Sequence, residues 1–219
     1  DRIMAHGDDT GLVLPPRLAP YQAVIVPIWR NEDQKGQVLE SAARLAEALV
    51  GGGIRTHLDG REGMNPGAKY YDWERRGVPV RLEIGPRDLE AGQAMVVRRF
   101  TPDGEDRTRP LSLGGITEEL ETLLVRMQGE LLAEATERRG ANTTRNVESM
   151  DTFRDVVESV GGFVFTGWCG DEGCEARVKE ETKATIRVIP DEEFRSSDPP
   201  TRCLCGEASV AEVVRAKAY

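Results

Sequence analysis

Four cysteines, all in the last quarter of a 219-residue chain, are the residues whose type and spacing carry the most chemistry. Cys169 and Cys174 are separated by four residues, Cys203 and Cys205 by one, and 28 residues lie between the two pairs. Gly170 and Gly173 flank the first pair and Gly206 follows the second, so the chain can fold back and bring the sulfurs together. Four thiolates suit tetrahedral zinc with bonds of about 2.3 Å, and a closed shell of four leaves no position for a substrate; such a site is structural. Disulfides and free thiols are the competing readings. The absence of a signal-like leader and the reducing cytosol disfavour the disulfides. Asp171 and Glu172 are close enough in sequence to raise the question of a carboxylate or water replacing one sulfur. A bound metal matters for a unit of about 70 residues, whose core alone is marginal, and structural zinc contributes on the order of 10 kcal/mol to folding.

A second group of polar residues falls where a parallel sheet places its ligands, at the carboxyl ends of strands. These are Asp59, Arg61, Lys69, Glu74 and, near a third strand, Arg81. Residues 54–100 hold nine Lys and Arg against seven Asp and Glu, the one segment with a positive excess in a chain of net charge −9. That overall charge opposes nucleic-acid binding, and a solvated charged face explains the segment equally well. There is no glycine-rich phosphate loop of the GxGxxG or GxxxxGK[ST] kind. His6, Asp8 and Asp9 could make a metal or acid–base site, or a turn closing a strand. The only other histidine is His57, and both lie far from the cysteines.

The elements that must position these residues alternate. Hydrophobic residues make up 39% of the chain and charged residues 31%, a globular balance, and no apolar run approaches the roughly 20 residues of a membrane span. Nothing at the start resembles a targeting segment, so a cytoplasmic setting is expected. Ala23–Ile28 reads as a strand buried on both faces. Val38, Ala42, Leu45, Ala46 and Leu49 fall at helical spacing, and Gly51–Gly53 ends that helix. A short strand over 54–58, a helix over 66–76 opening on Pro66, strands over 78–84 and 95–100, and a long amphipathic helix over 117–139 follow. Met150, Phe153, Val156, Val157 and Val160 form a short helix closed by Gly161 and Gly162, and 163–165 lead a strand into Trp168 and Cys169. Residues 101–110 and 191–200 read as polar loops. The fold class expected is α/β: a mixed, mostly parallel sheet flanked by helices, followed by a small α+β domain.

Three stretches go further. HGDD-x-GLVLPP from His6, PG-x-K-x-x-x-WE-x-x-GVP from Pro66, and the cysteine spacing ending in an apolar tail with Tyr219 resemble prolyl-tRNA synthetase of the archaeal/eukaryotic type, over essentially the whole chain from His6. This class II family has a catalytic domain, an anticodon-binding α/β domain and a C-terminal zinc domain. The resemblance implies that residues 1–19 end the catalytic domain, 20–125 bind the anticodon, 126–149 form a helical linker and 150–219 hold zinc on Cys169, Cys174, Cys203 and Cys205. The motifs for ATP, Mg²⁺ and proline would lie upstream, so this stretch alone should not form prolyl-adenylate. Dimerisation in the family runs mainly through the catalytic domain. The family's arginine before the HGD segment lies further upstream than Arg2, and its role is not carried to Arg2.

The partner implied is the anticodon stem-loop of proline tRNA, whose anticodon carries two guanines that can be splayed out. A guanine edge needs a carboxylate acceptor, a role for Glu74, and cationic donors to O6 and N7, roles for Arg61, Lys69 and Arg81. Tyr70, Tyr71 or Trp73 would stack on a base. Replacing Glu74 by Ala is then expected to weaken proline-tRNA binding more than that of bulk tRNA. Two other readings remain: the anticodon domain of a threonyl, glycyl or histidyl enzyme, and a zinc-stabilised interaction module with no catalytic role.

Overall fold

A computed structural model describes residues 6–159 and 161–217. Arg2, Val160 and Tyr219 lie outside the described residues. The chain divides into two compact units, Asp1–Ala133 and Glu134–Tyr219.

The first unit opens with a small antiparallel hairpin of β1 (Gly7–Asp8) and β2 (Gly11–Leu12). Its main body is a five-stranded sheet. The interior strand β3 (Ala23–Pro27) is buried at every residue, as its unbroken apolar run requires. Helix α1 (Glu32–Gly51) begins at Asn31, whose side chain accepts from the Gln34 amide, and leads to β4 (Thr56–Leu58), parallel to β3 on one side. Helix α2 (Pro66–Arg75) begins at Asn65 with proline at its first turn and leads to β5 (Val80–Ile84), parallel to β3 on the other side.

From β5 the chain turns through a short helix, α3 (Pro86–Glu90), into β6 (Gln93–Arg98) and then β7 (Thr108–Ser112), each antiparallel to its predecessor. The order β4-β3-β5-β6-β7 is therefore mixed, with two parallel and two antiparallel pairings. The sheet is mixed, as expected, but parallel pairing is confined to three strands and does not dominate, contrary to the mostly parallel sheet that the alternation of elements suggested. The reason is length: only residues 85–92 join β5 to β6, and a parallel return needs about a dozen or more. β7 also claims Thr108–Pro110 from the segment read as a loop.

Two faces of the sheet are covered differently. Ala23 and Ile25 of β3, with Val80, Leu82 and Ile84 of β5, pack with Val38, Ala42, Leu45 and Leu49 of α1. Leu120, Leu123, Leu124 and Met127 of the long helix α4 (Ile116–Ala141) join the same core. Val24 and Val26 point the other way and pack with Trp73 of α2 and Val78. Each such fully buried aliphatic side chain is worth about 1.5–3 kcal/mol.

The second unit is built on a four-stranded sheet of order β10-β11-β9-β8. β8 (Thr143–Val147) leads through α5 (Met150–Ser159) to β9 (Phe163–Trp168), its parallel neighbour. The stretch 126–149, expected as helical linker, thus contributes a strand to this sheet after α4 ends. Helix α6 (Glu172–Thr182) leads from β9 to β10 (Ala184–Val188). The last strand, β11 (Ala211–Lys217), inserts between β9 and β10, antiparallel to both. Helix and strand mix here as α+β architecture expects. A single 3-10 turn, Glu192–Phe194, interrupts the polar segment before the second cysteine pair.

Candidate nucleic-acid interface and metal centre

β3 lies between β4 and β5: the chain leaves it through α1 to β4 on one side and then crosses back through α2 to β5 on the other. A crevice at the carboxyl end of such a strand is where open α/β sheets receive their ligands. Two clefts meet there. One, of about 310 Å³, is lined by Trp29, Lys35, Arg61, Asn65 and Lys69 among others. The other, of about 430 Å³, shares Ile28 and Trp29 and adds Arg30, Arg87 and Asp88. Trp29 is the ridge between them. The Lys35 and Lys69 ammonium groups lie 5.9 and 5.7 Å from its ring centre. The first turns of α1 and α2 border the first cleft, so two helix N-termini bring amide dipoles to it.

Asp59 organises this edge. It is fully buried, accepts from the Arg61 Nε at 2.9 Å and Nη2 at 2.7 Å, and takes the Trp73 indole N–H at 2.7 Å. Burial pushes its pKa up, but the hydrogen bonds from Arg61 and Trp73 and the charge of Lys69 outweigh that and hold it well below the usual carboxylate range. Lys69 is only 3% exposed and donates to the Asp59 carbonyl at 3.1 Å. Burial lowers its pKa, and the Asp59 charge works against that.

The four residues expected to read guanines are not brought together. Arg61 and Lys69 share Asp59 at the crevice, with Arg61 also bridging to Asp72 at 2.9 Å. Arg81 lies further down β5, paired to Glu83 at 2.9 Å and stacked 4.0 Å from the Tyr70 ring centre. Glu74 is in the last turn of α2, at the end of the helix that leads into β5, and binds Arg107 Nη2 at 2.5 Å. Lys69 and Glu74 are five residues apart, about 7.5 Å along the helix and turned well away from each other. Among the stacking candidates, Trp73 is core, Tyr70 is half-buried against it and Tyr71 is exposed. Trp73 does contribute an aromatic group, with Tyr21 and His57 at ring distances of 6.1 and 5.0 Å. Trp29, Arg30 and Arg87 line these clefts although spacing alone does not single them out; Trp29 stands two residues past the end of the buried strand β3.

Asp8 is used structurally. It accepts from the Arg99 Nη1 and Nη2 at 2.8 and 2.6 Å and from Thr10 within the hairpin turn, which bears out the turn reading of this segment. The Arg99 bond is the largest influence on Asp8 and draws its pKa well below the ordinary value, against a smaller opposing effect of burial.

In the second unit the four cysteine sulfurs lie within 4.8 Å of one another, the one group of His, Cys, Asp or Glu so arranged among the described residues. Cys174 and Cys203 sulfurs are 3.6 Å apart and Cys205 and Cys169 sulfurs 3.8 Å, too far for disulfide bonds. A tetrahedron with bonds of about 2.3 Å has edges near 3.8 Å, so the donor set fits a zinc-sized cation. Gly170 and Gly206 adopt φ of +83° and +90°, turning the chain beside each pair. Asp171 caps α6, accepting from the Cys174 amide at 2.8 Å, which commits its carboxylate to the helix that carries Cys174. Burial, then hydrogen bonds with Cys203 and Cys205, push the Cys174 thiol up, so the thiolate form calls for a cation.

Residues 150–219 match the family described as prolyl-tRNA synthetase, C-terminal, and residues 22–122 match the anticodon binding domain. The chain belongs to the prolyl-tRNA synthetase family. It is 42% identical over 218 residues to proline–tRNA ligase 2 of Clostridioides difficile and 43% identical over 217 residues to proline–tRNA ligase of Mycobacterium leprae, covering 99% of this chain in both. Proline–tRNA ligase of Cenarchaeum symbiosum is 46% identical over 189 residues, 86% of this chain and 38% of its own length. The chain spans 43% and 44% of the length of the first two relatives. The anticodon-binding match covers the five-stranded unit with its crevice, and the C-terminal match covers the cysteine centre. No helix among the described residues is long and apolar enough to cross a membrane.

Proposed function

We propose that this chain is the anticodon-reading and zinc-binding portion of a cytoplasmic proline–tRNA ligase, which attaches proline to its tRNA at the expense of ATP. Residues 1–19 then end the catalytic domain, 20–125 read the anticodon, and the remainder, with its strand at Thr143–Val147, carries the structural zinc. ATP, Mg²⁺ and proline are handled by upstream catalytic motifs, through which the enzyme also dimerises. Family membership supports the reading.

The observation that carries the RNA role is the crevice around Trp29. A splayed-out base stacks on the indole, and Arg61, Lys35, Arg30 and Arg87 stand around it for base edges and phosphates. Lys69 acts from beneath, through Asp59, holding Arg61 in place. Glu74 and Arg81 enter as scaffold, since both are held by protein partners away from the crevice. For the cysteine centre, zinc supplies the charge that keeps four thiolates together, and the chain supplies two turns and one helix start that aim them.

Filter binding of a proline-tRNA transcript tests this. Trp29→Ala is expected to weaken binding about 5- to 100-fold, the range for losing one stacked base, and Glu74→Ala to leave it within about twofold. Replacing both anticodon guanines by cytosines should cost at least as much as Trp29→Ala. Unchanged binding in Trp29→Ala, with a large loss in Glu74→Ala, would move the interface to the other end of the strands.

A further inference from the structure

Arg215 in β11 is 0% exposed, the largest fully buried side chain among the described residues. Its Nε donates to the Thr166 hydroxyl at 3.2 Å, and Nη1 and Nη2 have no hydrogen-bond partner. No carboxylate pairs with it among the described ion pairs. An uncompensated guanidinium is among the costliest groups to bury, so its position calls for a negative charge nearby.

The surroundings lead to the cysteines. Arg215 pairs across the strands with Val164, and Thr166 with Val213, so these side chains share one face of the sheet. Val164 belongs to the core cluster that also contains Val178 of α6 and Leu204. Leu204 sits between Cys203 and Cys205, and α6 carries Cys174 in its first turn. Gly167, next to Thr166, bridges to Cys203. Burial lowers the Arg215 pKa, and charges on Cys203, Glu175, Cys174 and Cys169 oppose that fall.

We propose that Arg215 is the built-in counter-charge of the cysteine centre: it offsets part of the double negative charge that four thiolates keep after binding one zinc ion. The metal and the buried arginine then stabilise each other. The proposal rests on the zinc reading above. It makes Arg215 a positioning residue of the centre that touches no substrate.

The test uses the full chain and zinc itself. Metal content of the wild type comes first: no zinc would overturn the zinc reading and this proposal with it. With zinc present, competition against a chromogenic chelator is measured for Arg215→Met and Arg215→Lys. Arg215→Met is expected to weaken zinc binding about 10- to 100-fold, the range for losing an outer-shell partner of a metal site, and Arg215→Lys to stay near wild type. Melting separates charge compensation from packing. Arg215→Met should lower the midpoint of the zinc-loaded protein and leave unchanged or raise that of the metal-free protein, where the arginine is unpaired. Unchanged zinc affinity, or equal destabilisation in both states, would overturn the proposal while leaving the zinc site intact. If Arg215→Met does not fold in either state, Arg215→Lys decides: near-native affinity supports the proposal, and a loss beyond 100-fold overturns it.

Discussion

At the scale of single residues, Asp59 and Arg215 are opposite solutions to burying a charge. Asp59 is surrounded by donors from Arg61, Trp73 and Lys69, all within the first unit. Removing its charge leaves Lys69 buried without its neutralising partner, and Asp59→Asn is expected to cost about 3 kcal/mol, the scale for breaking a buried ion pair. Guanidinium unfolding followed by tryptophan fluorescence checks this. The pH dependence follows from the lowered carboxyl pKa. Stability from Asp59 is present in full above about pH 4, the ordinary carboxylate range, and is lost as pH falls through its lower folded value. The Asp59→Asn protein should therefore lose less stability between pH 5 and pH 3 than the wild type does.

At the scale of elements, the hairpin at Gly7–Leu12 is fitted to the turn that ends α2. Gly77 has φ +72°, and a Cβ there would lie 2.6 Å from the Leu12 Cβ and 2.8 Å from the Leu12 carbonyl carbon. Both the conformation and the backbone contact oppose any other residue. Gly77→Ala is expected to destabilise the first unit by about 2 kcal/mol, with hydrogen exchange accelerated first around Leu12 and Leu14. Uniform acceleration through β3 and β5 would show that the hairpin is not a separately opening element. The same turn separates Glu74 from the crevice, because α2 carries the chain from the carboxyl end of β4 to the start of β5.

At the scale of the whole molecule, the two units draw stability from different sources. Among the described residues the first has a core cluster of eighteen buried residues across two helices and four strands, the second a cluster of seven. A core so small is marginal without a staple. Chelation of the metal is expected to lower amide protection in β9, β11 and α6 while leaving that of β3 and β5 unchanged, read by hydrogen exchange with mass spectrometry. Protection retained in β9 and β11 after the metal has gone would show that the second core stands by itself.

What the sequence by itself determined was local. The buried run of β3, the helical periods of α1 and α4, the Pro66 start and the glycine-flanked cysteine pairs all rest on neighbours within one or two turns or on a rigid spacing. Family motifs added the anticodon and zinc assignments. Strand direction after β5 depended on a connection too short for a crossover, and the crevice at Trp29 on β4 and β5 pairing with opposite sides of β3. Arg61 and Lys69 meet at Asp59, while Glu74 faces Arg107, because a helix of ten residues spans the sheet from end to end. Arg215 reads in sequence as one more charge on an edge-like strand. Only the insertion of β11 between β9 and β10 buries it, since the energy of a charge depends on what the fold places around it.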